Sequence, residues 1–203
     1  MALRNAILTA LLDGESSGYD LAKTFDVTLA NYWSATSQQL YRELDRMETE
    51  GLVSARLVVQ ERRPNKRLYA ITDTGRAALH AFAARAPKPT AIRDELLVQV
   101  AGMDAADLPH VREHIAAALD ASRTKLERYR RSRRHLLEDR TAEEFLAEAE
   151  RIGPFLTLEC GIVFEEGNVR WYEGVLETLE RRGESPVRDE TSSRAASGDA
   201  PSR

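Results

Sequence analysis

The sequence predicts a mainly α fold with a small β-wing: an N-terminal winged helix-turn-helix, then a C-terminal long-helix dimerisation arm. Three observations carry this. In residues 34–51, SATSQQLYRELDRMETEG, Leu40, Leu44 and Met47 recur at helical spacing, opposite Gln38, Arg42, Asp45 and Thr49. Directly after Gly51 the period changes to two β-branched runs separated by Pro64-Asn65. From Phe155 onward, Phe155, Leu158, Ile162, Glu165, Val169, Tyr172, Leu176 and Leu179 are spaced 3-4-3-4-3-4-3, a heptad seam with one charged intruder.

Composition sets the outer limits. Of 203 residues, 31% are charged and 42% hydrophobic, which fits a soluble, folded, helical protein. The net charge of −4 announces no global basic field, so charge must be read locally. Cys160 is the only cysteine, which rules out an intrachain disulfide. The N-terminal apolar run is weak for a signal peptide, and no stretch is long enough to span a membrane. A cytoplasmic protein with no membrane partner is expected.

In chain order, Leu3, Ile7, Leu8, Leu11 and Leu12 make a first helical stripe, ended by Asp13-Gly14. Ser16-Ser17-Gly18 reads as a turn, with Ser17 capping a second helix from about 18 to 30. Tyr19, Leu21, Ala22, Phe25 and Leu29 are its expected buried side. The 34–51 helix starts with Thr36 and Gln39, three residues apart, as a capping box; Ser34 is a second N-cap candidate. Gly51 suits the left-handed position after the last turn. Residues 52–60 and 66–72 read as strands, and Thr72 or Thr74 caps a helix to about Arg85. Residues 1–86 therefore make a helix-turn-helix with a wing.

The hairpin carries Arg56, Arg62, Arg63, Lys66 and Arg67 against Glu61 alone. Such a tip beside a polar-faced helix fits phosphate contact, and a solvated turn is the alternative.

Pro87-Lys88-Pro89 is a stiff linker and the expected boundary. Residues 90–182 then form a helical arm. A short helix over 92–100 precedes a long one from Leu108 to about Asp139, with seam residues Val111, Ile115, Leu119, Leu126, Tyr129 and Leu136 and polar breaks at Ser122 and Arg133. Residues 123–134 hold seven cations and one anion, whereas 143–184 hold eleven acids and four arginines. Helices of opposite charge with narrow seams suit packing on each other or on a symmetry mate. Thr141 with Glu144 caps the acidic segment, and Gly153-Pro154 interrupts it. The expected dimerisation residues are Leu119, Leu126, Phe155, Leu158, Ile162, Val169, Tyr172, Leu176 and Leu179. Glu165 is expected to pair with an arginine, since an unpaired buried carboxylate is costly. Residues 183–203 lack apolar periodicity and read as a disordered tail.

Several pieces in register carry a family resemblance: ILTALLDGESSGYDLAKTFD, NYWSATSQQLYRELDRMETEGLV and KRLYAITDTGRAAL. Over residues 3–82 they resemble the PadR-like family of bacterial transcriptional regulators. Trp33 matches the family's tryptophan, and Ser34 stands where proline is usual. The helical second half looks like the family's longer subgroup. The resemblance implies a homodimer that binds operator DNA through paired winged helices, usually as a repressor. Many members answer to a small ligand such as a phenolic acid.

On that reading the 34–50 helix enters the major groove with its N-terminal half towards base edges. Thr36, Ser37, Gln38, Tyr41 and Arg42 are the candidate contacts there. Gln can pair with adenine and Arg with guanine, while Thr36, Ser37 and Tyr41 suit phosphate. Plain helix capping is the alternative for Thr36 and Ser37. Arg62, Arg63, Lys66 and Arg67 are the wing's candidates for phosphate or the minor groove. Trp33, Trp171 and Tyr172 are candidate ligand-binding aromatics, against a simple packing role. Two modules roughly 34–36 Å apart would read an inverted repeat.

Nothing in the sequence supports an enzyme, a metal or a cofactor. His110 and His114 have metal-ligand spacing, but on a charged helix with no third ligand in pattern they read as surface histidines. The other class of reading is a dimeric scaffold whose winged helix binds a protein. Residues 1–86 carry eleven cations and ten anions, a balance that leaves this alternative open.

Overall fold

The computed structural model describes residues 2–25, 35–59, 65–87, 89, 93–105 and 108–184. Contacts divide the chain into two compact units, residues 1–92 with 140–161, and residues 93–139 with 162–203.

In the first unit, α1 (Ala2–Ala10) leads through a 3-10 turn (Leu11–Asp13) to a two-residue strand β1 (Ser16–Ser17) and α2 (Gly18–Thr24). Then come α3 (Ser37–Thr49), β2 (Val53–Val58), β3 (Lys66–Ile71) and α4 (Asp73–Ala83). Ile7, Leu8, Leu11, Leu21, Leu40, Leu44, Met47, Val53 and Tyr69 form one buried core, with Ala78 and Leu79 of α4 leaning on it. The expected stripe of α3 is thus its buried face. The three strands form an antiparallel sheet in the order β1-β3-β2. The hairpin register pairs Val53 with Ile71 and Val58 with Lys66.

The ends of α3 follow from the sequence. Thr36 Oγ1 accepts the Gln39 amide at 3.2 Å, and Gln39 Oε1 accepts the Thr36 amide at 3.0 Å. At the other end Gly51 has φ +71, the left-handed conformation that favours glycine. The Gly51 amide returns to Glu48 O at 2.9 Å and the Leu52 amide to Met47 O at 2.8 Å, which satisfies the last carbonyls. Thr72 is the cap of α4, accepting from the Gly75 amide.

Three expectations change. Ser16-Ser17 is a strand as well as a turn, pairing with Tyr69 and Leu68 of β3. Tyr19 is not buried but 73% exposed. The geometry of α2 explains this: residues two apart differ by about 200°, so Tyr19 faces away from buried Leu21. The third is the helix after the linker, which starts at Glu95 on an Asp94 cap rather than at Ile92. Leu29, Trp33 and Ser34 lie outside the described residues, as do Arg62, Arg63 and the 185–203 tail.

Residues 140–161 hold α7 (Ala142–Glu148), capped by Thr141 and Glu144 as expected, and the start of α8 (Gly153–Glu184). The helix breaks ahead of Gly153-Pro154. Phe145 and Phe155 pack with ring centroids 5.3 Å apart, and Arg151 pairs with Asp13.

The second unit is built from α5 (Glu95–Ala101), α6 (Leu108–Leu137) and the rest of α8. Val111, Ile115 and Leu179 form its buried centre, with Leu96, Val100, Tyr172 and Leu176 against them. Salt bridges run Arg112–Glu180 at 2.7 Å, Arg123–Glu173 at 2.8 Å and Arg130–Glu166 at 2.9 Å. One number rises as the other falls, so α6 and α8 are antiparallel. The opposite charges are used within the chain.

Candidate nucleic-acid interface

The polar face of α3 is built by the same spacing that buries its apolar stripe. Gln38, Tyr41 and Arg42 stand three and four residues apart and share an outward face. Gln38 and Arg42 are exposed, and among the described residues neither has a side-chain hydrogen bond or ion pair. Ser37 is exposed at the first helical position. Thr36 is exposed too, but its hydroxyl already serves as the cap.

Tyr41 is 44% exposed and its ring lies on the backbone at the start of α2. A Cβ built on Gly18 would stand 2.2 Å from Tyr41 Cε1, so only glycine allows this approach. Ser17 holds the start of α2 by accepting the Asp20 amide at 3.1 Å and donating to Asp20 Oδ2 at 2.6 Å. Gly18 and Tyr19 line the candidate site, and composition and periodicity missed them. The closeness of Gly18 to Tyr41 has no sequence signal, because 23 residues separate them.

Between α2, α3 and β3 lies a concavity of about 800 Å³, lined in part by Tyr19, Tyr41, Asp45, Lys66, Arg67 and Tyr69. It joins the polar face of α3 to the wing, and Lys66 is exposed at its rim. Burial pushes the Tyr69 phenol above its ordinary value, so it stays neutral.

Among the described residues, the other wing cations, Arg56 and Arg67, are not equivalent to Lys66. Arg56 Nε donates to Glu15 Oε2 at 2.9 Å, and this hydrogen bond holds the Glu15 carboxyl below the usual range. Arg67 pairs with Glu48, and with Asp45 at 3.4 Å. The acidic half of α3 is also held from behind. Arg4 of α1 donates to Glu43 at 3.2 Å and to Glu50 at 2.9 Å, and Arg46 donates to Glu50 at 3.0 Å.

In the second unit the expected dimer seam is already filled. Leu119, Leu126, Ile162 and Leu179 are buried, with Val169, Tyr172 and Leu176 half-buried, where α6 and α8 pack together. Phe155 and Leu158 are buried in the first unit's part of α8. Glu165 is 2% exposed, and its partner is Lys125 at 3.5 Å rather than an arginine; Asn168 Nδ2 donates to it at 3.3 Å. The row of α8 on the opposite side holds, in this unit, exposed Val163, Gly167, Trp171 and Gly174. Trp171 packs edge-on against half-buried Tyr172, ring centroids 5.2 Å apart.

His114 Nδ1 lies 2.9 Å from Gln99 Oε1. Among the described residues, no group of three His, Cys, Asp or Glu could hold a metal ion, and no helix is long and apolar enough to cross a membrane.

Residues 7–81 match the family model described as "Transcriptional regulator PadR-like family", and residues 92–180 match "Virulence activator alpha C-term". A probable transcriptional regulator of Mycobacterium tuberculosis is 36% identical, over 90% of this chain and 100% of its own length. The crystal structure of Bacillus subtilis PadR in complex with operator DNA superposes with a TM-score of 0.72 at 27% identity, covering 88% of this chain and 99% of that one. The same Bacillus subtilis protein in complex with p-coumaric acid gives a TM-score of 0.66 at 27% identity, covering 88% and 95%.

Proposed function

The chain belongs to the PadR-like family of transcriptional regulators, and on that premise we propose that it is a dimeric repressor that reads an inverted-repeat operator. The observation that carries this reading is the outward face of α3. Gln38 and Arg42 are exposed and without a partner among the described residues, one helical turn apart, with Tyr41 beside them and Lys66 on the adjacent wing. A glutamine and an arginine so placed fit the adenine and guanine edges of a major groove. Ser37, Tyr41 and Lys66 suit phosphate, as do Arg62 and Arg63 of the wing. Thr36 acts as the cap and presents its neighbours. The operator complex of Bacillus subtilis PadR supports duplex DNA as the partner.

The second copy of the chain docks on the outer row of α8. Gly167 and Gly174 sit one heptad apart on that row, and a Cβ on either would meet nothing within 4 Å. Glycine costs a helix interior about 1 kcal/mol relative to alanine. This chain's own packing gives no reason for either, and close approach by another helix does. Val163, 68% exposed, and Trp171 flank them. A phenolic acid is the ligand that loosens the repressor from DNA in this reading; the Bacillus subtilis protein's complex with p-coumaric acid supports a ligand of that class. Trp33, Trp171 and Tyr172 remain its candidate aromatic contacts.

Fluorescence anisotropy on DNA from the chain's own promoter region, at two salt concentrations and with and without p-coumaric acid, tests the reading. Binding that weakens steeply with salt and is reversed by the acid is expected. No binding, or binding indifferent to salt, contradicts it. Sedimentation of Val163→Asp should give a monomer where the parent chain gives a dimer.

A further inference from the structure

We propose that Arg67 is a positioning residue that braces the wing against α3, and that it does not hold phosphate. The inference rests on the DNA-binding reading above but changes the job of one of its cations. Charge counting along the hairpin treats Lys66 and Arg67 alike. Strand geometry separates them. Successive side chains on a strand point to opposite faces, so Arg67 shares a face with Tyr69, and Tyr69 is buried in the core beneath α3. Lys66 takes the alternate direction at the start of the strand; both cations are exposed, so what distinguishes Arg67 is its partners.

The surroundings of Arg67 fit a brace. Nη2 contacts Glu48 Oε2, Nη1 lies 3.4 Å from Asp45 Oδ1, and Cζ lies 5.4 Å from the centroid of the Tyr69 ring. Two partners come from α3 and one from β3 itself. A planar guanidinium with donors in a fixed fork, held in this way, ties two elements at one angle. The hydrogen bond that Arg67 donates to Glu48 raises its pKa, so the charge persists at any working pH. Moving the guanidinium to a phosphate would leave Asp45 and Glu48 unpaired on the helix that enters the groove. Two carboxylates there repel the duplex, so the exchange gains no net attraction. Braced, Arg67 neutralises that half of α3 and sets the separation between the α3 face and Lys66.

The two roles give opposite signs. Arg67→Gln, Glu48→Gln, their combination, and the charge swap Arg67→Glu with Glu48→Arg are titrated by anisotropy against a duplex selected from a random pool, from 50 to 200 mM salt. A brace predicts that each single variant weakens binding by about 3–10-fold and that the double variant is no weaker than either, because the two changes break one contact. It predicts an unchanged salt slope and a swap that recovers binding to within about threefold. A phosphate contact predicts that Arg67→Gln flattens the slope by roughly 0.9, that Glu48→Gln tightens binding by freeing the arginine, and that the swap stays defective. Any of these three, or unchanged affinity in both single variants, overturns the proposal. If the parent chain binds no DNA, the DNA reading fails by itself, and amide exchange still decides the brace. Both single variants should then exchange faster than the parent in β2, β3 and the C-terminal half of α3, and equal rates would overturn it.

Discussion

The two halves of α3 differ in how their polar and charged side chains are engaged. In residues 36–42 the exposed Gln38 and Arg42 carry donors with no partner among the described residues. In residues 43–50 every acid is engaged: Glu43 and Glu50 with Arg4, Glu50 again with Arg46, and Asp45 and Glu48 with Arg67. One half presents an exposed polar face, and the other is fastened to α1 and the wing. A rigid mount under an uncommitted face is what accurate presentation requires, since a reading side chain loses selectivity if its backbone wanders. The comparison gives each residue of one helix a separate expected phenotype, affinity in the first half and stability in the second.

The largest effect should come from the open half. Arg42→Ala should lower affinity for a selected duplex by about 1–3 kcal/mol, roughly 5–150-fold, with the thermal midpoint unchanged. Anisotropy beside a thermal melt checks both parts. Gly18→Ala comes next. Its Cβ would strike the Tyr41 ring at 2.2 Å, so the ring must turn off its seat. Overpacking of this kind costs about 1–3 kcal/mol of stability, read by urea unfolding, and DNA affinity should fall with it. Thr36→Ala removes the cap that starts the open half and should cost about 1 kcal/mol, seen as a melt lowered by about 2–4 °C.

The smallest effect lies in the fastened half and is one of pH. Hydrogen bonds from Arg46 and Arg4 hold the Glu50 carboxyl below its ordinary value of 4.5. A lowered folded pKa contributes stability that is present above the ordinary carboxyl value and lost as pH falls through the folded one. Glu50→Gln should therefore lower the melting temperature slightly at pH 7, where the contribution is present, and flatten the acid limb so that variant and parent converge well below pH 4.5. An acid limb identical to that of the parent would show that the Glu50 pairs do not fasten α3.

How much of this was legible in the sequence depends on range. The capping box at Thr36 and Gln39, the buried Leu40, Leu44 and Met47 and the left-handed Gly51 are local features, and periodicity reads local features well. The break before Gly153-Pro154 and the cap at Thr141 belong with them. Partnership across the chain was not legible. Arg67 counted as a wing cation because a charge tally does not say which acid a cation meets. Glu165 required a basic partner, but burial alone did not distinguish Lys125 from an arginine. The heptad residues of α8 implied a seam without saying whose helix fills it, and much of it packs within the chain against α6. Ser16-Ser17 is too short for any strand pattern, and Tyr19 looked apolar enough to bury.

The claim that residues 36–42 read base edges is tested most directly by selecting duplexes from a randomised pool with the parent chain and with Arg42→Ala in parallel. The parent should enrich a two-fold repeat, and the variant should lose preference at one symmetric pair of positions while still binding DNA. Identical enriched sequences from the two proteins would contradict it.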